Sequence, residues 1–383
     1  MKKSTDRILT THAGSLPRPD DVLAAVRAGR AGYHADTVRK GVQAVVRRQA
    51  QVGLDIVDDG EFGKPGFMHY VNDRLDGFEV NNEPSGSPFA GSRELKAFPE
   101  FYDWIAKNAP GVSSSVKHMV CTGPIRYKGH AHVQEDIANL KSALSTVQVE
   151  EAFMPAVSPA NVEEWQTNRY YKSDEEFVFA IAEAMREEYQ TIVDSGLLLQ
   201  VDDPRLVTYY NLRPDLDLNG FRKWANVRVE ALNHALRGLP QDRIRFHTCY
   251  SINVGPRVHD MQLKEVVDLI LSVRAGAYSF EAANPRHEHE WEVWKDVKLP
   301  DGAILIPGVI TQSTVLVEHP ELISQRIQRF ASVVGRENVI AGADCGFGTF
   351  AGSMEIHPTV AWAKLAALAE GARLASRRLW RRD

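Results

Sequence analysis

Apolar, β-branched runs recur along the chain, and most are followed by a stretch in which apolar residues return every three or four positions. The runs at 8–11, 55–58, 118–121, 152–157, 197–201, 244–249, 278–281, 304–310 and 339–343 predict strands. Helical spacing is clearest over 174–195, with Phe177, Phe179, Ile181, Ala182, Met185 and Tyr189 among its apolar positions, and it returns over 221–237, 263–274, 320–334 and 360–376. Gly238 stands just past the second of these helices as a stop. Strand and helix alternating along a whole chain imply parallel strands joined by crossover helices. No linker-like stretch breaks the pattern, so 1–383 reads as one domain, an elaborated (β/α)₈ barrel. Nine candidates for eight barrel positions mean that one pairs elsewhere or is not a strand. A doubly wound open sheet is the alternative, but no G-x-G-x-x-G turn follows the first strand.

The stretch 78–117 departs from this pattern. It is rich in Gly, Pro, Ser, Asn and aromatics and too long for an ordinary βα loop, so it reads as a lid or as the arm of a homo-oligomer, with 126–148 acting beside it. Charge then removes some partners. A formal charge of −5 and a pI near 6.2 leave no basic footprint for nucleic acid, and the Arg-rich run from Arg377 reads as a solvated helix end. Residues 1–11 carry no signal-peptide core, and no segment approaches the ~18 uninterrupted apolar residues of a membrane span. Only Cys121, Cys249 and Cys345 are present, which argues against a disulfide framework and for a reducing, cytoplasmic setting.

In a barrel, chemistry gathers where strands end. The run 244–249 ends in His247-Thr248-Cys249, and alternation points the imidazole and the thiol the same way. The next strand ends in Glu281, and the last runs into Asp344-Cys345-Gly346. One His, two Cys and one Glu make a shell that zinc accepts. Spacing alone leaves a second reading of Cys249 and Cys345, as small buried hydrophobes, and Cys121, with no partner at suitable spacing, takes that reading outright. Other strand ends are acidic: Asp58-Asp59-Gly60-Glu61 and Asp202-Asp203-Pro204. Such carboxylates cap helices or hold a substrate's ammonium group. The first strand ends with Ser15 available for a carboxylate and His12 near the mouth, with Met68 and His69 as further lining.

These pieces in this order (Thr10–Pro17, Gly53–Glu61, Leu199–Pro204, His247–Tyr250, Phe280-Glu281 and Asp344–Gly346) resemble the catalytic domain of cobalamin-independent methionine synthase and its single-domain relatives. The resemblance implies a zinc-dependent barrel. It places His247, Cys249, Glu281 and Cys345 on the zinc ligands and Ser15, Glu61 and Asp202 on the grip for homocysteine. Glu281's counterpart is held to yield its place when the thiol arrives. Zinc lowers the thiol's pKa, and the thiolate attacks an electrophilic carbon. Two positions depart from the folate-dependent members. Ser313 stands where they have a histidine that protonates the departing folate, and Thr311 where an aspartate is expected. That argues against methyltetrahydrofolate as donor and for a methyl from a corrinoid carrier, another activated methyl or an epoxide.

Some single-domain relatives add coenzyme M to epoxides and need cations for its sulfonate; Lys64, Arg126 and Arg205 are near the motifs but read as surface charges. A metal-free decarboxylase, like the distantly similar porphyrinogen decarboxylases, would leave His247, Cys249 and Cys345 without a task. A corrinoid-binding or metal-storage module would keep the metal but bind no thiol. The expectation is a zinc-dependent thiol alkyltransferase with a small-molecule thiol and an alkyl donor as partners.

Overall fold

The described strands are β1 Leu9–Thr10, β2 Ile56–Val57, β3 Leu75–Val80, β4 Met119–Tyr127, β5 Glu151–Val157, β6 Gln166–Asn168, β7 Leu198–Asp202, β8 Ile244–Thr248, β9 Ala277–Phe280, β10 Ile304–Ile310 and β11 Ile340–Ala343. They belong to a computed structural model that describes residues 1–29, 34–81, 90–108, 118–250, 255–352 and 356–381. Eight strands form one parallel sheet in the order β1-β11-β10-β9-β8-β7-β5-β2. Its ends meet at Asp55, whose N–H donates to the Thr10 carbonyl (3.1 Å) and whose carboxylate accepts from the Thr10 N–H (2.8 Å) and hydroxyl (2.9 Å). A side chain therefore completes a seam that two-residue strands are too short to close alone, and the result is a (β/α)₈ barrel.

Period-two alternation fills the barrel. Leu9, Ile56, Phe153, Leu198, Ala277, Ile304, Ile306 and Ile340 form an apolar cluster of their own toward the strands' N-terminal ends. Moving up β8 by twos from Ala277's register partner gives Arg245, His247 and then Cys249. Arg245 is fully buried: it donates to the Thr11 hydroxyl and the His12 carbonyl (3.1 Å each), its guanidinium carbon lies 3.9 Å from the Phe153 ring centre, and burial lowers its pKa to about 10. A larger apolar cluster fills the layer between barrel and helices.

The surplus strand among the nine predicted, 118–121, lies outside the barrel. It begins β4, which pairs antiparallel with β3 and parallel with β6. Cys121 is buried there, its thiol directed at the Gly123 carbonyl (3.3 Å), which agrees with the small-hydrophobe reading. Helices Asp174–Asp194, Leu218–Ala235 and Pro320–Val334 take their predicted places, and the last helix extends to Pro358–Trp380. The pattern over 263–274 splits into a 3₁₀ turn, Leu263–Glu265, and a short helix, Val267–Ser272. Gly238 takes φ +79° just beyond its helix, as a stop requires.

Of the segment 78–117, the stretches 82–89 and 109–117 lie outside the described residues. Helices Arg93–Ala97 and Pro99–Asn108 lie between them. Buried Glu94 accepts the N–H groups of Val258 (3.3 Å) and His259 (3.2 Å), and Arg93 donates to the Tyr210 carbonyl (3.0 Å). These bonds tie the segment to the helix Arg205–Leu212 that follows β7 and to the loop that follows β8. The region 126–148 differs from expectation: it contains the helix His130–Leu144, which packs against Ala35–Val52 in the helical layer. Among the described residues no helix is long and apolar enough to cross a membrane.

Candidate metal centre

His247 faces inward from β8 in register with Asp202 on β7 and Ser279 on β9. Its Nδ1 lies 3.0 Å from the Ser279 hydroxyl, which leaves Nε2 for another partner. Burial, with a smaller push from Arg245, lowers the imidazole to about 3, so it is neutral, the form in which it binds metals. Cys249 follows β8 and Cys345 follows β11. Both thiols are free and buried, with sulfurs 3.2 Å apart. Ligand atoms of His247, Cys249 and Cys345 all lie within 4.8 Å of one another, so one ion could touch all three. The bond to Cys249 and then burial hold the Cys345 thiol well above its usual range. Two adjacent thiolates in this buried place need a cation between them, and an imidazole with two thiolates is a donor set suited to zinc.

Glu281, next in the predicted set, borders this group, but its carboxylate has other partners. One oxygen accepts the Tyr250 N–H (2.8 Å); the other accepts from Arg257 (2.7 Å) and the Asn284 amide (2.8 Å). Burial raises Glu281 to about 7 against the opposing pull of Arg257. Behind Arg257, Asp260 bonds its Nε (2.7 Å) and approaches His287 Nε2 (3.1 Å), and Glu290 holds His287 Nδ1 (2.7 Å). The His287 ring stacks on Tyr250 at 3.8 Å between centres. Burial disfavours charge on His287, yet the bonds to Asp260 and Glu290 prevail and raise it to about 9. A histidine raised above its unfolded value of ~6.5 stabilises the fold fully below that pH and loses the contribution as pH climbs through 9. Unfolding free energy is therefore expected to fall by ~1–3 kcal/mol between pH 6.5 and 9.5, and denaturant melts of His287→Gln should lack that decline.

The acidic strand ends form a second group beside the first. After β2, Asp58 and Asp59 accept the N–H groups of Gly60 and Glu61 (2.8 Å each), and Arg18 donates to the Glu61 carbonyl (2.7 Å). These bonds hold Glu61 at φ +57°, a left-handed conformation that a non-glycine residue keeps only when its surroundings fix it. One Glu61 oxygen and one Asp58 oxygen are buried with no hydrogen-bond partner. Asp202 accepts from Gln200 (2.8 Å); burial first, then the charge of Glu61, raise it well above the carboxylate range. Lys64, read from sequence as a surface charge, is instead buried, 2.5 Å from the Pro155 carbonyl.

Ser15 lies against Gly346, the residue after Cys345: a Cβ added there would lie 2.0 Å from its hydroxyl, so only glycine permits this approach. His12 lies deeper than the expected mouth position. Gln49 contacts its Nε2 (2.8 Å), the Gly14 N–H donates to its Nδ1 (3.2 Å), and burial lowers it to about 4. It therefore backs Asp58 and Gly14. His69 is half-buried among the rings of Trp165 (5.8 Å) and Phe350 (5.3 Å). Sequence reasoning did not single out Arg257, Asn284, Asp260 or His287.

A parallel barrel with thiols, an imidazole and buried carboxylates at its strand ends defines the class. Residues 93–367 match the family model for the cobalamin-independent synthase catalytic domain, and the chain belongs to that family. It is 23% identical over 393 residues to a methionine synthase from Thermococcus kodakarensis, covering 97% of this chain and 94% of the relative. A methionine synthase from Sulfolobus acidocaldarius is 24% identical, with 88% and 85% covered. Among solved structures, a B12-independent methionine synthase from Shewanella sp. W3-18-1 superposes with a TM-score of 0.72 at 18% identity, covering 97% of this chain and 99% of that one.

Proposed function

We propose that the protein is a zinc-dependent thiol methyltransferase that acts on homocysteine or a closely similar amino-bearing thiol. The observation that carries this reading is the pairing of two groups at the strand ends: the His247–Cys249–Cys345 cluster and, beside it, the buried acids Asp202, in register with His247, and Glu61, whose charge acts on Asp202. His247, Cys249 and Cys345 would hold the metal, with Glu281 as a fourth ligand before the thiol arrives. Bound there, zinc would lower the pKa of the incoming thiol and keep it nucleophilic at neutral pH.

The remaining work falls to the chain's own residues. Glu61 and Asp202 repel each other while buried, and a substrate ammonium between them would relieve the repulsion and supply the partner that the Glu61 oxygen lacks. Ser15 would bind the substrate carboxylate close to the thiols, and His12, neutral and bonded to Gln49 and the Gly14 N–H, would support the turn that presents Asp58. The buried acids disfavour a sulfonate-bearing thiol. In a metal-free decarboxylase the two adjacent thiols would serve no purpose.

On the donor side, Thr311 and Ser313 bond to each other (2.8 Å) where folate-dependent relatives are held to carry a proton relay. Neither hydroxyl titrates near neutrality, which supports a donor whose leaving group needs no proton, such as a corrinoid-bound methyl. Zinc-loaded protein with homocysteine is expected to form methionine from methylcobalamin and none from methyltetrahydrofolate. Absence of methionine with any activated methyl donor, zinc being present, would overturn the assignment.

A further inference from the structure

Glu281 stands at the edge of the sulfur–imidazole cluster, yet both its oxygens already have partners that no metal requires. The Tyr250 N–H comes from the residue after Cys249, the Asn284 amide from three residues along, and Arg257 from the loop after β8. Arg257 is itself fixed from behind by Asp260 (2.7 Å) and lies across Tyr250, its guanidinium carbon 5.5 Å from the ring centre. Its backbone takes φ +57°, a conformation rare outside glycine and kept where the surroundings impose it. A carboxylate that can serve a cation on one side thus has a complete, pre-built second position on the other.

We propose that Arg257 is a positioning residue that competes with the metal for Glu281, receiving the carboxylate when a thiol takes its place. The inference rests on the metal-site reading above. It gives a physical route for vacating one ligand position: the displaced carboxylate moves from one cation to another and is never left buried and unpaired, the outcome that would oppose exchange most strongly. Asp260 prevents Arg257 from following Glu281, so the receiving position stays where it is. No bond within the substrate changes in this step.

The competition makes opposite predictions for zinc retention and for thiol binding. In Arg257→Met, zinc should pass to a chromogenic chelator about tenfold more slowly than in the zinc-loaded parent, because Glu281 stays on the metal. Homocysteine should bind about tenfold more weakly. With cobalt(II) in place of zinc, the sulfur-to-cobalt absorption gained on adding homocysteine should need correspondingly more thiol in the variant. In a Glu281→Gln background the Arg257 substitution should change neither quantity. If Arg257→Met fails to fold, Arg257→Lys carries the test: it keeps the charge but cannot span Glu281 and Asp260, and both effects should run in the same directions, about threefold. Faster zinc loss, unchanged thiol affinity, or effects that persist in the Glu281→Gln background would overturn the proposal. If the parent protein retains no zinc after loading, the metal-site reading itself fails, and the two failures are thus distinguished.

Discussion

Cys249→Ser is expected to abolish both metal retention and thiol alkylation while leaving the barrel folded. The sulfur at 249 sits 3.2 Å from that of Cys345 and within reach of His247, so the three donors form one compact set. A serine hydroxyl occupies nearly the same space but does not ionise at neutral pH and is a poor zinc ligand. Sites of this kind bind zinc with ~10–16 kcal/mol in total, so losing one anionic donor weakens the metal by ~3 kcal/mol or more, over a hundredfold in affinity. Thiol activation falls with it. The fold is spared because Cys249 lies beyond the last β8 residue and, though buried, belongs to neither apolar cluster. Metal analysis after dialysis, circular dichroism and turnover check the three parts separately. Full activity in the serine variant would refute the assignment of this cluster.

Glu61→Gln should act in opposite directions on binding and on stability. In the free protein Glu61 is buried beside other carboxylates, its pKa raised by burial while Lys64 and Arg18 oppose the rise. A neutral amide in its place removes a buried charge and eases Asp202, so the unliganded variant should unfold at a higher temperature. Homocysteine, in contrast, should bind ~1–3 kcal/mol more weakly, as expected when a charged hydrogen bond to an ammonium is lost. The pH dependence has a definite sign. A carboxyl raised in the folded state favours folding more as pH falls through its raised value and less as pH rises above its unfolded value of ~4. The variant should lose Glu61's share of that slope. Thermal melts across pH and calorimetry with homocysteine measure both halves. Unchanged affinity would place the substrate's amino group elsewhere.

The barrel was legible because its strands are continuous apolar runs, the signature of strands covered on both faces. The strand at 118–121 carries the same signature, and composition alone did not tell that it pairs outside with β3. β3, Leu75–Val80, was not legible: its pattern is largely exposed, with one buried residue of six. The His247–Cys249–Cys345 cluster could be read because each member lies at or just past the end of a strand and alternation along β8 points His247 and Cys249 the same way. Arg257 could not, since it reaches Glu281 from an irregular loop 24 residues away. The buried charges of Lys64 and Arg245 were hidden for the same reason: their burial depends on partners distant in sequence, a carbonyl at Pro155 and groups at Thr11 and His12. The helix His130–Leu144 was not legible because the helix on which it packs, Ala35–Val52, lies far off in sequence.

If a metal held by His247, Cys249 and Cys345 takes the thiol and strips its proton, that proton must pass to the buffer. Calorimetric titration of homocysteine into zinc-loaded protein, in two buffers of different ionisation enthalpy, counts that proton directly. Saturable binding with about one proton released per thiol is expected at neutral pH. Absence of binding with zinc confirmed in place, or binding without proton release, would contradict it.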